Sequence, residues 1–132
     1  MIWMRQPSQK QPIVSIVRSE SHYKGVVKAL KLIEEEIRRD LKDKETILIK
    51  PNFVSVYRQL AATHVDAVRA ILDIISKYHS GKIIIGEGPA SGSLKTGLIN
   101  FNYLGLRDEY NVEFVDLNHD RYIEVEGFDR DL

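Results

Sequence analysis

The sequence predicts an α/β fold: a three-layer, Rossmann-like structure with a mainly parallel sheet of four to five strands and helices on both faces. Three observations predict it. Short, nearly continuous apolar runs recur at residues 12–18 (PIVSIVR), 46–50 (TILIK), 82–86 (KIIIG) and 112–117 (VEFVDL). Between them lie stretches whose apolar residues stand three and four apart, the period of a helix with one buried face. The runs do not alternate as strands with one wet face do, so they fit a parallel sheet covered on both sides.

The elements follow in order. Residues 1–11 are polar, carry Pro7 and read as a flexible lead-in, with residues 12–132 as a single α/β domain. PIVSIVR is β-branched and suits a buried first strand. Ser19 and Ser21 offer oxygens to cap a helix, and Tyr23, Val26, Val27, Leu30, Ile33, Ile37 and Leu41 give that helix one apolar face over about five turns. Glu34–Arg38 and Glu35–Arg39 are spaced as favourable pairs on its other face. TILIK is a second strand, stopped by Pro51, and residues 52–62 form a long loop. Thr63 is the expected N-cap of the next helix, with Asp66 completing a capping-box variant. Val65, Val68, Ile71, Leu72, Ile75 and Tyr78 form its apolar face, and Ser80-Gly81 ends it. KIIIG is a third strand, and a glycine-rich loop runs over residues 86–97. A less regular helix within 98–110 contains Gly105, residues 112–117 make a fourth strand, and residues 122–126 alternate like a short edge strand. Right-handed crossovers and strand order 3-2-1-4, or a close relative, complete the expected topology.

Composition narrows the function classes. The chain has 132 residues, 43% hydrophobic and 29% charged, enough for a core without disulfides or a structural metal. Nineteen cations balance nineteen carboxylates, which argues against a uniformly basic nucleic-acid binder. There is no cysteine, so no cysteine-ligated iron–sulfur cluster, thiolate zinc site or cysteine nucleophile can form within this chain. The apolar runs are too short to span a membrane, so no membrane partner is expected, and no secretory signal core is visible; the expected compartment is cytoplasmic.

In open parallel sheets, ligands bind outside the carboxyl ends of the strands. The least ordinary residues of this sequence fall there. Lys50 ends the second strand, where its charge must leave the core and can hold a phosphate or carboxylate. Asn52 follows and can bind a ligand or stabilise the turn after Pro51. Thr63 and His64 open a helix whose N-terminus favours anions; His64 is also a candidate acid/base, or simply a surface histidine. Glu87 ends the third strand and is the leading candidate carboxylate for acid/base or metal work, or simply a solvated strand-end glutamate. Asp116 ends the fourth strand as a second one. Ser91, Ser93, Lys95 and Thr96 are the polar contacts a ligand-closing loop would offer. The catalytic candidates are therefore Glu87, His64 and Asp116, and the ligand-binding candidates Lys50, Asn52, Thr63, Ser91, Ser93, Lys95 and Thr96.

Several motifs fail in detail. A Walker A loop needs glycine directly before Lys-Thr, and Leu94 stands there; Ser91 occupies the third glycine of a dinucleotide fingerprint. Asp116-Leu117-Asn118-His119-Asp120 begins like a calcium loop but has Arg121 where glycine is required and Gly127 at position twelve. A polar turn is the expected reading over a divalent cation held by the two carboxylates and His119, and no metal site is assigned.

The phrases ILIKPNFVS, AATHVDAVRAILDIISKY, KIIIGEGPASG and VEFVDLNHD, in that order, resemble the family catalogued as domain of unknown function 362. Lys50-Pro51-Asn52, Thr63-His64, Gly86-Glu87-Gly88-Pro89 and Val115-Asp116-Leu117 carry the resemblance, over about residues 12–120. It implies an α/β domain with no assigned biochemical role. Many members carry a ferredoxin-like iron–sulfur module, which implies redox company. This chain departs by lacking cysteine and by having Val65 where proline commonly follows Thr-His. The resemblance also implies that the chain is shorter than a full family domain: a fragment, a truncated form or a stand-alone half.

Two functions remain open at this point. In the first, the strand-end rim binds a small anionic molecule, with enzyme activity and cofactor unassigned. In the second, the chain is a non-catalytic module that docks a redox or other protein partner, or pairs with itself as a homo-oligomer through an exposed sheet edge.

Overall fold

Three of the four apolar runs form strands and lie side by side. The computed structural model describes residues 12–124. In chain order these form helices α1 (His22–Lys31) and α2 (Glu34–Leu41), strand β1 (Thr46–Ile49), a 3-10 turn (Gln59–Ala61), helix α3 (Val65–Ile75), strand β2 (Lys82–Glu87), helices α4 (Leu94–Asn100) and α5 (Leu106–Glu109), and strand β3 (Val112–Asp116). The sheet is parallel, with order β1-β2-β3. The architecture is therefore α/β with a parallel sheet of three strands among the described residues, against the four to five expected.

Register explains which face is buried. Ile47, Ile83 and Val112 form one row across the sheet, and Ile49, Ile85 and Phe114 the next. These rows meet Val65, Val68, Leu72 and Ile75 of α3, Leu94 and Leu98 of α4, Phe101, Tyr103 and Leu106 in one apolar core. Ile37 and Leu41 of α2 pack against the same core, and α1 lies along α3. The helices thus gather on one side of the sheet. The opposite face holds Leu48, which is 55% exposed, with half-buried Ile84 and Val115 and exposed Glu113. The second helical layer expected from the sequence does not cover it among the described residues.

The structure corrects the expected strand at 12–18. The segment is in no strand and makes no backbone hydrogen bond to another described residue. Ile13, Val14 and Ile16 are exposed. β-propensity describes how a side chain fits a pleated surface, and no described strand lies beside this segment. Strand order changes with it, since KIIIG sits between the other two strands. Tyr122, Ile123 and Glu124 are not in a strand either; Val125, Glu126 and the lead-in at 1–11 lie outside the described residues.

The first helix is also two helices. The break falls at Leu32-Ile33, between Lys28 and Lys31 in the last turn of α1 and Glu34, Glu35 and Glu36 in the first turn of α2. Each cluster suits the partial charge of its own helix end. The expected i,i+4 pairs do not form. Arg38 binds Glu35 at 2.6 Å, while Glu34 crosses to Lys77 and the Tyr78 hydroxyl.

Two links tie the helical side together. The Asp73 carboxylate accepts hydrogen bonds from the Tyr23 and Tyr110 hydroxyls, both at 2.6 Å, joining α1 and the C-terminal end of α5 to α3. Arg69 of α3 grips Glu109 of α5 through two bonds, at 3.0 and 2.7 Å. The Arg69 hydrogen bond holds the Glu109 carboxyl below the usual glutamate range. A depressed carboxyl contributes stability above its unfolded-state value and loses it as pH falls through the folded value. Arg69→Gln is therefore expected to lower the melting temperature at neutral pH and to have no Glu109-linked effect near about pH 2. Melts across pH check this.

Candidate functional site

The carboxyl ends of the three strands bring the chemistry together. Lys50 leaves β1 and its Nζ donates to Glu87 Oε2 at 2.7 Å and to the Pro51 carbonyl at 3.2 Å. The two ends of this pair differ in burial: the Glu87 side chain is 4% exposed and that of Lys50 53%. The carboxylate is built into the protein, and the ammonium is pinned at the surface by it. Glu87 also lies close enough to Tyr103 to help push that phenol up, although burial is the larger cause.

Asp116 is Glu87's register partner on β3, so the two carboxylates stand side by side at the rim. Asp116 Oδ1 accepts from the Asn118 backbone at 3.0 Å, and Oδ2 lies 3.1 Å from His119 Nδ1. Asn118 Nδ2 donates to the Pro89 carbonyl, and a Cβ on Gly88 would stand 2.6 Å from Asn118 Oδ1. The glycine after Glu87 is thus a packing requirement of the neighbouring loop.

Other candidates serve the scaffold. Thr63 Oγ1 accepts from the Asn52 backbone at 2.9 Å, and Thr63 N donates to the Asn52 carbonyl at 2.8 Å. The N-cap of α3 is His64, not Thr63: its Nδ1 accepts from Asp66 N. His64 also stacks on His22, with ring centroids 4.5 Å apart. It makes no hydrogen bond or ion pair with Lys50, Glu87 or Asp116 among the described residues. Ser93 caps α4 by accepting from Thr96 N, and the two hydroxyls lie 2.9 Å apart. Lys95 is exposed on the first turn of that helix. The helix begins at Leu94, inside the stretch expected to be loop. Ser91 donates to the Val54 carbonyl.

Residues 52–63 form an arm that the sequence did not reveal. Phe53 bridges Ala62, and Val54 N donates to the Ala61 carbonyl at 3.1 Å. Phe53 is buried edge-on against Phe101 and Tyr103, and the Tyr103 hydroxyl donates to the Thr63 carbonyl at 2.9 Å. Val56, fully buried, fits against Gly92 and Gly97. Gly92 has φ +79°, and a Cβ there would also collide with Val56. Gly92→Ala is expected to cost at least about 1 kcal/mol in chemical denaturation and to loosen the arm. The sequence signals were Gly92 and Gly97 themselves.

Among the described residues, no group of three or more His, Cys, Asp or Glu stands together as a metal-binding set, and no helix is long and apolar enough to cross a membrane. No curated protein and no solved structure matches this chain. The model of one family, a domain of unknown function (DUF362), matches residues 47–131, from the start of β1 through the rim segments just described. Lys50, Thr63, Glu87 and Asp116 all fall within that match, which covers more than half of the chain, and the protein belongs to the DUF362 family.

Proposed function

We propose that the strand-end rim binds a small anionic molecule. The observation that carries this reading is the pinned ammonium of Lys50, anchored on one side by a buried carboxylate and half open to solvent on the other. With two of its three N–H groups committed, Lys50 keeps one for a ligand oxygen. Asn52, exposed beside it, supplies a carboxamide, and Lys95 a second cation. Glu87 offsets the charge of Lys50, so recognition rests on a directed hydrogen bond more than on net charge. Asp116, in register beside Glu87 and half-buried, would be the carboxylate that exchanges protons with such a ligand, while buried Glu87 holds Lys50 and reaches the ligand only through it. Thr63, Ser91, Ser93, Thr96 and His64 support the rim through the arm and the helix caps.

This reading takes the three strands as part of a larger, three-layer Rossmann-like sheet. The half-exposed face around Leu48 and Ile84, and the sides of β1 and β3 that no described residue pairs, are where this reading would put further strands and a second helical layer. Exposed Ile13, Val14 and Ile16, in a segment that pairs with no described strand, favour a second reading, a module that docks a protein partner there.

Thermal shift tests the first reading. Phosphate, nucleotides, small carboxylic acids and divalent metals are titrated into the wild type and into the Lys50→Gln/Glu87→Gln variant, which keeps a hydrogen-bonding pair without its charges. A true ligand at ~100 times its Kd adds about 2.7 kcal/mol of stability. A shift present in the wild type and lost in the variant supports the rim site. Absence of any shift in the folded wild type favours the docking module.

A further inference from the structure

We propose that the arm at residues 52–63 docks this chain reversibly on a membrane surface containing anionic lipids. The inference shares Lys50 and Lys95 with the rim, but Tyr57, Arg58 and Leu60, on which its test turns, belong to the arm alone. It rests on a fixed scaffold, exposed apolar side chains and cations that have no carboxylate partner among the described residues.

The scaffold comes first. The two limbs of the arm are joined by the Thr63–Asn52 and Val54–Ala61 backbone bonds. Val56 anchors its turn against Gly92 and Gly97, and the Val56 carbonyl accepts from Asn100 Nδ2 at 2.9 Å. This backbone is held at both limbs and at the turn. Yet Val54 is 54% exposed, Tyr57 72% and Leu60 completely so, with Ile99 of α4 also exposed. A loose loop could fold such side chains away; a clamped arm presents them.

Charge points the same way. The chain as a whole is neutral, but residues 46–65 contain no Asp or Glu, and neither do residues 88–107. These two segments pack on each other through Ala90–Phe53, Ser91–Val54 and Asn100–Val56. Together they carry Lys50, Arg58, Lys95 and Arg107, of which only Lys50 has a carboxylate partner among the described residues. Glu87 offsets Lys50, and Arg107, in the same helix as Asp108 and Glu109, lies over the Phe114 ring, so Arg58 and Lys95 are the cations left for a headgroup. Exposed apolar side chains with such cations match an interface of acyl chains beneath anionic headgroups. Tyrosine suits that boundary, with an apolar ring and a polar tip. A stable protein interface wants roughly 800 Å² per partner with a packed apolar centre; the arm and α4 offer separate exposed side chains, Val54, Tyr57, Leu60 and Ile99. Docking of this kind needs no membrane-spanning helix.

The test is co-sedimentation of the full chain with vesicles of phosphatidylcholine alone and of phosphatidylcholine with phosphatidylserine, at low and high salt. Binding is expected with phosphatidylserine present and should fall as salt rises. Arg58→Glu, which removes one cation and adds an anion, should weaken it by more than roughly fivefold. Tyr57→Asp with Leu60→Asp should abolish it without changing the circular dichroism melt, because both side chains are exposed. Ile16→Asp and Leu48→Asp, at exposed apolar positions off the arm, should leave it unchanged. No binding to either vesicle, binding that ignores the arm variants, or binding lost equally in the off-arm variants overturns the proposal. So does capture of an acidic protein by the arm in a chain that ignores vesicles.

Discussion

Lys50→Ala is expected to destabilise the protein by about 2–3 kcal/mol at neutral pH, and Glu87→Gln in the same chain to recover most of that loss. The Glu87 side chain is 4% exposed and has no hydrogen-bond partner other than Lys50 among the described residues. Removing the ammonium strands a charge that water cannot reach. The reverse change is milder, because Lys50 is half exposed and can turn to solvent when its partner is lost. Glu87→Gln alone is therefore expected to cost less than Lys50→Ala, about 1 kcal/mol. Urea denaturation of both single variants and the double variant gives the coupling directly. If Lys50→Ala costs no more than Glu87→Gln, the carboxylate is not held as the geometry implies.

Phe53→Ala should cost more, about 3–5 kcal/mol. Phe53 is 1% exposed, packs edge-on against Phe101 and Tyr103, and lies under Gly97, so truncation opens a cavity where the arm meets the core. Tyr103→Phe in the same cluster should cost only about 1 kcal/mol. It keeps the ring and removes the hydroxyl that serves the Thr63 carbonyl. Hydrogen exchange separates the two effects from a general loss of stability: Phe53→Ala should speed exchange at Val54 and Thr63, whose amides hold the arm closed, more than at Ile84 in the sheet.

The strands TILI, KIIIGE and VEFVD were legible because continuous apolar runs mark a buried parallel strand whatever its neighbours are. The apolar face of α3 was legible for the same reason, at a different period. What sequence could not show is who pairs with whom. PIVSIVR reads as a strand on propensity alone, but no described residue offers it a ladder. The expected order 3-2-1-4 already set Lys50's strand beside Glu87's, yet it parted Glu87 from Asp116, which the structure puts in register. Local chemistry misled at the caps. Thr63 has the better capping side chain, but its hydroxyl is taken by the Asn52 backbone, and His64 caps α3 instead. The break between α1 and α2 was written in Lys28, Lys31 and Glu34–Glu35–Glu36, a reversal of charge that a single long helix does not need.

The rim site is most directly tested by amide chemical-shift mapping in a titration of the wild type with inorganic phosphate and then with a small dicarboxylic acid. Saturable shifts confined to Lys50, Asn52, Gly88 and Asn118, absent from the Lys50→Gln/Glu87→Gln variant, are the predicted result. Shifts that are absent, that fail to saturate, or that centre on another surface would contradict it.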